Sequence, residues 1–202
     1  MNTDDNSSNL SSEHETAVNE GYVEEFASTN KNDSLLAELR RIFVSSFYEY
    51  YKSIEQQLNL PSHKSLIPWL EETFDEEVDE IFSHRCRCFL VFTSASSPII
   101  VGFLTTKEYK SDHCGIYISQ CAIDPAYKRK GYGFLLLKHL TTVYPSTTSY
   151  ICLCRRVNEP AINFYKKHHA KIIDDDQIAT KYGYNPTNYL GFQLNSNELR
   201  LQ

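Results

Sequence analysis

Three apolar runs rich in β-branched and aromatic residues follow one another with almost nothing between them: "CRCFLVFTS" at 86–94, "IIVGFLTTKEY" at 99–109 and "CGIYISQCAID" at 114–124, with "SSP" and "KSDH" as the turns. Connections this short cannot carry a chain back across a sheet, so the runs are predicted to pair as antiparallel neighbours. Everything before and after must then pack on that meander or extend it.

Before it lie two amphipathic stretches. From Ser34, the residues Leu36, Leu39, Phe43, Phe47, Tyr50 and Ile54 recur at steps of three and four, predicting a helix that ends ahead of Pro61. A second helix begins near Ser65, tolerates Pro68 in its first turn and buries Leu70, Phe74, Val78 and Ile81. Its other faces carry Glu71, Glu72, Asp75, Glu76, Glu77, Asp79 and Glu80, which read either as a solvated surface or as a field that draws in a cation. "GYVEEFAST" from Gly21 reads as a short strand and "NKND" as the turn into the first helix. After the meander, Leu136, Leu140 and Val143 mark a helix stopped by Pro145, "SYICLCRRV" a strand, and "NEPAINFYKKHHA" a helix with Pro160 in its first turn. The tail from Lys171 reads as two strands around a loop of Tyr, Asn, Gly and Pro. The order β, α, α, β, β, β, α, β, α, β, β predicts a single α/β domain over residues 21–202, a mixed sheet with helices on its faces. Residues 1–20, polar and poor in apolar side chains, are predicted to be a disordered tail.

With 202 residues and 41% hydrophobic composition, the chain supports one good core. Twenty Lys and Arg against 26 Asp and Glu leave a net charge of -6, which disfavours a polyanionic partner, so no nucleic acid is expected despite the local "KRK" at 128–130. No run approaches the roughly 18 apolar residues of a membrane span, and the N-terminus lacks the basic start and apolar stretch of a signal, so a cytoplasmic protein without a membrane partner is expected. Of six cysteines, Cys86 with Cys88 and Cys152 with Cys154 are spaced to share strand faces and read as buried free thiols. There is no CxxC pair, and no metal is expected. Tyr48 and Tyr51 read as exposed aromatics, and the expected state is a monomer or a homodimer.

"DPAYKRKGYG" at 124–133 joins the third run to the next helix. GYGFLL lacks the third glycine of a dinucleotide fingerprint, and no GxxxxGK[ST] loop occurs. A strand ending at Ile123, a turn from Asp124 to Lys130 and a helix from near Gly131 nevertheless aim free N–H groups and the positive end of a helix dipole at one place. Gly131 and Gly133 are expected to admit an anion such as pyrophosphate to the main chain. "QCAIDPAYKRKGYGFLLLKHL" and "NEPAINFYKKHHA" together resemble the two motifs of the GCN5-related N-acetyltransferase (GNAT) superfamily. The first is an acyl-CoA-binding motif built on Arg or Gln, two residues, Gly, one residue, then Gly or Ala. The second runs Asn, two residues, Ala, two residues, Phe-Tyr, one residue, Lys, and is met by Asn158, Ala161, Phe164, Tyr165 and Lys167. Lys128 stands where the superfamily has Arg or Gln, and His169 and Ala170 replace its Gly-Phe. The resemblance covers residues 22–195, the first hundred by element order only.

That resemblance implies a GNAT-type fold with a mostly antiparallel sheet, acetyl-CoA as co-substrate, and N-acetyl transfer by direct ternary-complex attack. The acceptor would be a primary amine: a cationic small molecule, a peptide N-terminus or a lysine. It implies that Cys121, Ala122 and Ile123 pair with the pantetheine arm as a further strand would, and that Lys128, Arg129, Lys130, Gly131, Tyr132, Gly133 and Phe134 cradle the pyrophosphate. Asn158 would meet the lower arm, and Tyr165 would be the general acid that protonates the departing thiolate. Alternation puts Tyr117, Ser119, Cys121 and Ile123 on one strand face, where the superfamily receives the acceptor, and Tyr117 is the candidate base where many relatives carry a glutamate. A phenol with an ordinary pKa of about 10 is a poor base at neutral pH, and an α-amine near 7.7 to 8.0 needs less help than a lysine near about 10.4, so an α-amine is favoured. Nothing adjacent to Cys121 lowers its pKa, which argues against an acetyl-thiol intermediate. The acceptor is implied to enter between the first two helices and the loop holding Tyr182, Tyr184 and Asn185. The alternative is a degenerate member that binds acyl-CoA or a protein partner without turnover.

Overall fold

The computed structural model describes residues 21–27, 32–108, 115–173 and 176–202. The expected tail, the start of the "NKND" turn, and the "KSDH" turn with Cys114 lie outside the described residues. Seven strands form one sheet: β1 (Gly21–Glu25), β2 (Arg87–Thr93), β3 (Ile100–Glu108), β4 (Gly115–Ile123), β5 (Ser149–Arg155), β6 (Lys171–Ile173) and β7 (Tyr189–Asn195), in the order β1-β2-β3-β4-β5-β7-β6. The meander of β2, β3 and β4 is antiparallel as expected, and only β4 and β5 run parallel. Their crossover is α3 (Tyr132–Val143), the element a parallel pair requires.

Helices α1 (Asp33–Tyr51) and α2 (Leu66–Phe82) cover one face of the sheet, where Leu39, Phe43, Leu70, Phe74, Phe103 and Ala122 form a core. On the other face α3 and α4 (Glu159–Lys167) pack Leu136, Leu140 and Tyr165 against Tyr150 and Phe192. Two helices of six residues each, α5 (Asp176–Lys181) and α6 (Ser196–Leu201), were not foreseen, because so short a helix has no periodicity to read. No helix among the described residues is long and apolar enough to cross a membrane.

Expectations change at both large helices. Asn32 caps α1 through its side chain, but the helix stops at Tyr51, and Ile54 packs into the core from the turn that follows. Tyr51 is buried, not exposed: its hydroxyl accepts from Asn158 Nδ2 at 3.2 Å. Glu77, expected on the solvated face of α2, is buried.

The departure that matters most is in β4. Thr105 pairs with Gln120 and Thr106 with Ile118, leaving Ser119 as an extra residue in a β-bulge. One inserted residue reverses the alternation beyond it. Ile116, Ile118, Cys121 and Ile123 therefore share the core under α3 and α4, and Tyr117 falls on the opposite face from Cys121 instead of beside it. The β4–β5 pairing runs from Gly115 and Ser149 to Ile118 and Cys152 and goes no further.

Asp124 secures the exit from β4. Its N–H donates to Val101 O at 2.9 Å, one carboxylate oxygen accepts from Ala126 N at 2.9 Å, and the other accepts from Arg41 of α1 at 2.6 Å. Burial works to raise its pKa, but the hydrogen bonds from Arg41 and Ala126, with the charges of Arg41 and Lys128, outweigh burial and hold it below the usual carboxylate range. The folded pKa is depressed, so the stability this carboxylate contributes is complete above the unfolded value, about 3.9, and is lost as pH falls through the folded one. Asp124→Asn is expected to be less stable than wild type near pH 6 and to lose less stability on acidification to about pH 3, as read from urea midpoints.

Candidate active site

Where β4 and β5 part, a cavity of about 290 Å³ opens. Its walls come from Phe43, Phe47 and Tyr51 of α1, Trp69 and Glu76 of α2, residues 117–121 of β4, Leu153, Cys154 and Arg155 of β5, Asn158, Ala161 and Tyr165 of α4, and Tyr184 and Tyr189 at the approach to β7. The main chain of β4 is exposed to this gap. The N–H groups of Gln120 and Asp124 donate toward β3, so alternation turns those of Cys121 and Ile123 toward the unpaired edge. Ala122, between them, is buried against the α1 and α2 core.

Beyond Ile123 the chain enters a run of unsatisfied donors. Arg129 (φ 66°) and Gly131 (φ 88°) are both left-handed, and α3 begins without a side-chain cap. Among the described residues, no acceptor meets the backbone N–H groups of Arg129 to Phe134. Nothing lies within 4 Å of where a Gly131 Cβ would stand, so the space beside its main chain is open. At Gly133 the Phe164 ring is 3.3 Å from that position, so its missing side chain makes room for α4. Tyr132 is buried, Phe134 stacks on His168 at 4.4 Å, and Lys130 sits over the Tyr127 ring at 4.8 Å. The main chain is thus what this turn has to offer a ligand.

At the other end of the cavity Tyr165 is buried, and burial, with the neighbouring thiols of Cys152, Cys121 and Cys154, pushes its pKa well above the ordinary phenol value. It keeps its proton at neutral pH. Desolvation pushes the Cys121 thiol up to about 12, which leaves it a poor nucleophile. Tyr117, the expected base, is buried and stacked on Tyr182 at 4.1 Å. Asn158 has two partners: its oxygen accepts from Ala161 N at 3.2 Å and caps α4, and its Nδ2 donates to Tyr51. Arg155 donates to Leu58 O at 2.5 Å and lies over Trp69 at 4.8 Å and Tyr189 at 5.2 Å. On α2, Glu72 pairs with Lys64, Asp75 with Arg40 and Glu80 with Arg85, whereas Glu76 lines the cavity with no ion-pair partner among the described residues. Neither Trp69 nor Arg155 was singled out from the sequence. An aromatic inside one helix and a cation at the end of one strand become neighbours only through the fold.

A model of the acetyltransferase (GNAT) family matches residues 36–170. The chain belongs to that family. Structural relatives of this GNAT domain include the PaiA N-acetyltransferase from Thermoplasma acidophilum in complex with coenzyme A, at a TM-score of 0.64 and 15% identity over 87% of this chain and 99% of that one. The ribosomal-protein-S18-alanine N-acetyltransferase from Escherichia coli aligns at 0.52 and 18% over 87% and 94%, and the ribosomal L7/L12 alpha-N-protein acetyltransferase RimL at 0.56 and 15% over 86% and 90%. No curated protein sequence matches.

Both departures from the GNAT motifs have a physical reading. Lys128 extends to α1 and donates from Nζ to Ser46 O at 2.8 Å, so its ammonium holds the turn to the helix. His169 adopts φ 58°, the left-handed conformation for which glycine is the easiest choice, and the chain closes α4 through Ala170 N to Tyr165 O at 3.0 Å. Because Asn158 is both cap and tie, Asn158→Ala is expected to lower stability by about 1 kcal/mol in urea unfolding. Asn158→Asp, which keeps the capping oxygen, is expected to recover most of that.

Proposed function

We propose that the chain is an acetyl-CoA-dependent N-acetyltransferase that moves an acetyl group from the thioester to a primary amine by direct attack in a ternary complex. The observation that carries this reading is the order of the site's parts: the cavity holds Cys121, at the open edge of β4, together with the Tyr165 phenol, and Ile123 and then the unpaired N–H groups of residues 129–134 follow Cys121 along the chain. An acyl-CoA has its pyrophosphate, amide-bearing arm and thioester in that order. The pyrophosphate lies on the α3 N-terminus, where free N–H groups and the helix dipole favour negative charge. The arm takes the strand edge, and the thioester arrives between β4 and α4. Lys128 supports the turn from behind, while Arg129 and Lys130 add positive potential at its rim.

In the transfer step the neutral amine attacks the carbonyl carbon, the C–S bond breaks, and the departing thiolate receives a proton. Tyr165 supplies that proton as the general acid, since its surroundings keep the phenol protonated. The raised thiol of Cys121 supports direct attack over an acetyl-enzyme. The acceptor binds among Trp69, Tyr117, Tyr184 and Tyr189, where aromatic faces and the unpaired Glu76 suit a cationic amine.

A thiol-release assay with acetyl-CoA and a panel of peptide α-amines, lysine and small polyamines tests this reading. Acceptor-stimulated release of free CoA is expected; tight acetyl-CoA binding with no stimulated release by any amine contradicts transfer and leaves a binding module. Tyr165→Phe is expected to keep acetyl-CoA affinity within about twofold and to lower kcat by about 10². An unchanged kcat removes Tyr165 from the mechanism.

A further inference from the structure

Glu77 is a carboxylate that turns inward from an otherwise acidic helix surface, and it is only 5% exposed. Its Oε1 accepts from Thr105 Oγ1 and, at 3.2 Å, from the Cys86 thiol, while its Oε2 accepts from Ser119 Oγ at 2.9 Å. Thr105 Oγ1 accepts in turn from the Gln120 N–H at 3.0 Å. The two arms of one carboxylate therefore end on Ser119 and Gln120, the two residues of the β4 bulge. Lys107 of β3 lies 3.7 Å from Glu77 and 3.5 Å from Glu80, and it also feels Tyr184. The thiols of Cys86 and Cys88 on β2's side are pushed up by burial and by Glu77, and so stay uncharged.

Ser119 lines the cavity, and its hydroxyl proton is committed to Glu77. What remains to its oxygen is accepting capacity. We propose that Ser119, backed by Glu77, takes a proton from the acceptor amine. The bound ammonium passes one N–H proton to Ser119 Oγ while the serine's own proton passes to Glu77 Oε2; the neutral amine so formed attacks, and as the C–N bond forms its second proton goes to water. The amide nitrogen ends neutral, the serine is regenerated, and the acid formed at Glu77 returns its proton to solvent after product leaves. Ser119 is the catalytic residue of this pair, and Glu77 acts through it as a positioning residue. The relay rests on the N-acetyltransferase reading above. It brings amines of high pKa within reach, which a strand without a carboxylate of its own did not suggest.

The test compares kcat/KM for two acceptors in wild type, Ser119→Ala, Ser119→Thr and Glu77→Gln: a simple alkylamine, protonated at neutral pH, and an alkoxyamine, already neutral there and easily deprotonated by water. Ser119→Ala and Glu77→Gln are expected to lose about 10²-fold with the alkylamine and less than about fivefold with the alkoxyamine, at acetyl-CoA affinity within about twofold of wild type. Ser119→Thr, which keeps the hydroxyl, is expected to retain most of the alkylamine rate. Equal losses with both acceptors, or losses that follow weakened acetyl-CoA binding, mean a structural role and overturn the relay. Ser119→Ala decides alone if Glu77→Gln does not fold. Turnover of neither of these acceptors, nor of any peptide α-amine, lysine or polyamine, by wild-type protein that binds acetyl-CoA overturns the transferase reading, and the relay with it.

Discussion

One inserted residue in β4 governs the geometry of the site. A strand in register would continue its parallel pairing with β5 and leave no gap, whereas here the pairing ends at Ile118 and Cys152 and the main chain of Cys121 and Ile123 stays unpaired. Exposing strand edge inside a domain costs free energy unless something holds it open. That something is a set of side chains from elsewhere in the chain: Glu77 and Thr105 hold the bulge, Asp124 and Arg41 tie the strand's exit to α1, and Asn158 ties the start of α4 to Tyr51. Each link crosses between elements, so the gap belongs to the whole fold and to no one strand.

The chemistry follows from what the gap collects. At its outer end are backbone donors with no partner among the described residues, which an anion completes without requiring a flexible cation to find it. At its inner end the environment is apolar and rich in thiols, which holds the Tyr165 phenol in its acid form. Between them the cavity changes character toward α2, where Glu76, with no ion-pair partner among the described residues, and the rings of Trp69, Tyr117 and Tyr184 are where the proposal seats a cationic acceptor. A net charge of -6 agrees with the cationic acceptor proposed above, and the basic turn at 128–130 is where that proposal seats the pyrophosphate.

The meander, both large helices and the strand–turn–helix at the glycines could all be read from the chain, because short connections and regular spacing are local properties. The residues of the site that could not be read are those defined by a distant partner. Glu77 follows Leu70 and Phe74 and precedes Ile81 at steps of four, three and four, so the buried stripe of α2 was legible and included it. Its charge hid it, and only Thr105 and Ser119 explain why a carboxylate is tolerated there. The bulge itself has no signature in "GIYISQCAI", and missing it put Tyr117 and Cys121 on one face when they lie on two. Gly133 reads from the chain only as an approach for an anion, and the Phe164 ring that packs 3.3 Å from its Cβ position is a neighbour no turn pattern names.

Residue-resolved amide exchange by NMR, with and without coenzyme A, tests most directly whether this gap is the acyl-CoA groove. Binding is expected to slow exchange at Cys121, at Ile123 and across residues 129–134, and to leave Ala122, already donating toward β3, unchanged. Protection confined to another face, or equal protection along the whole of β4, would contradict the account.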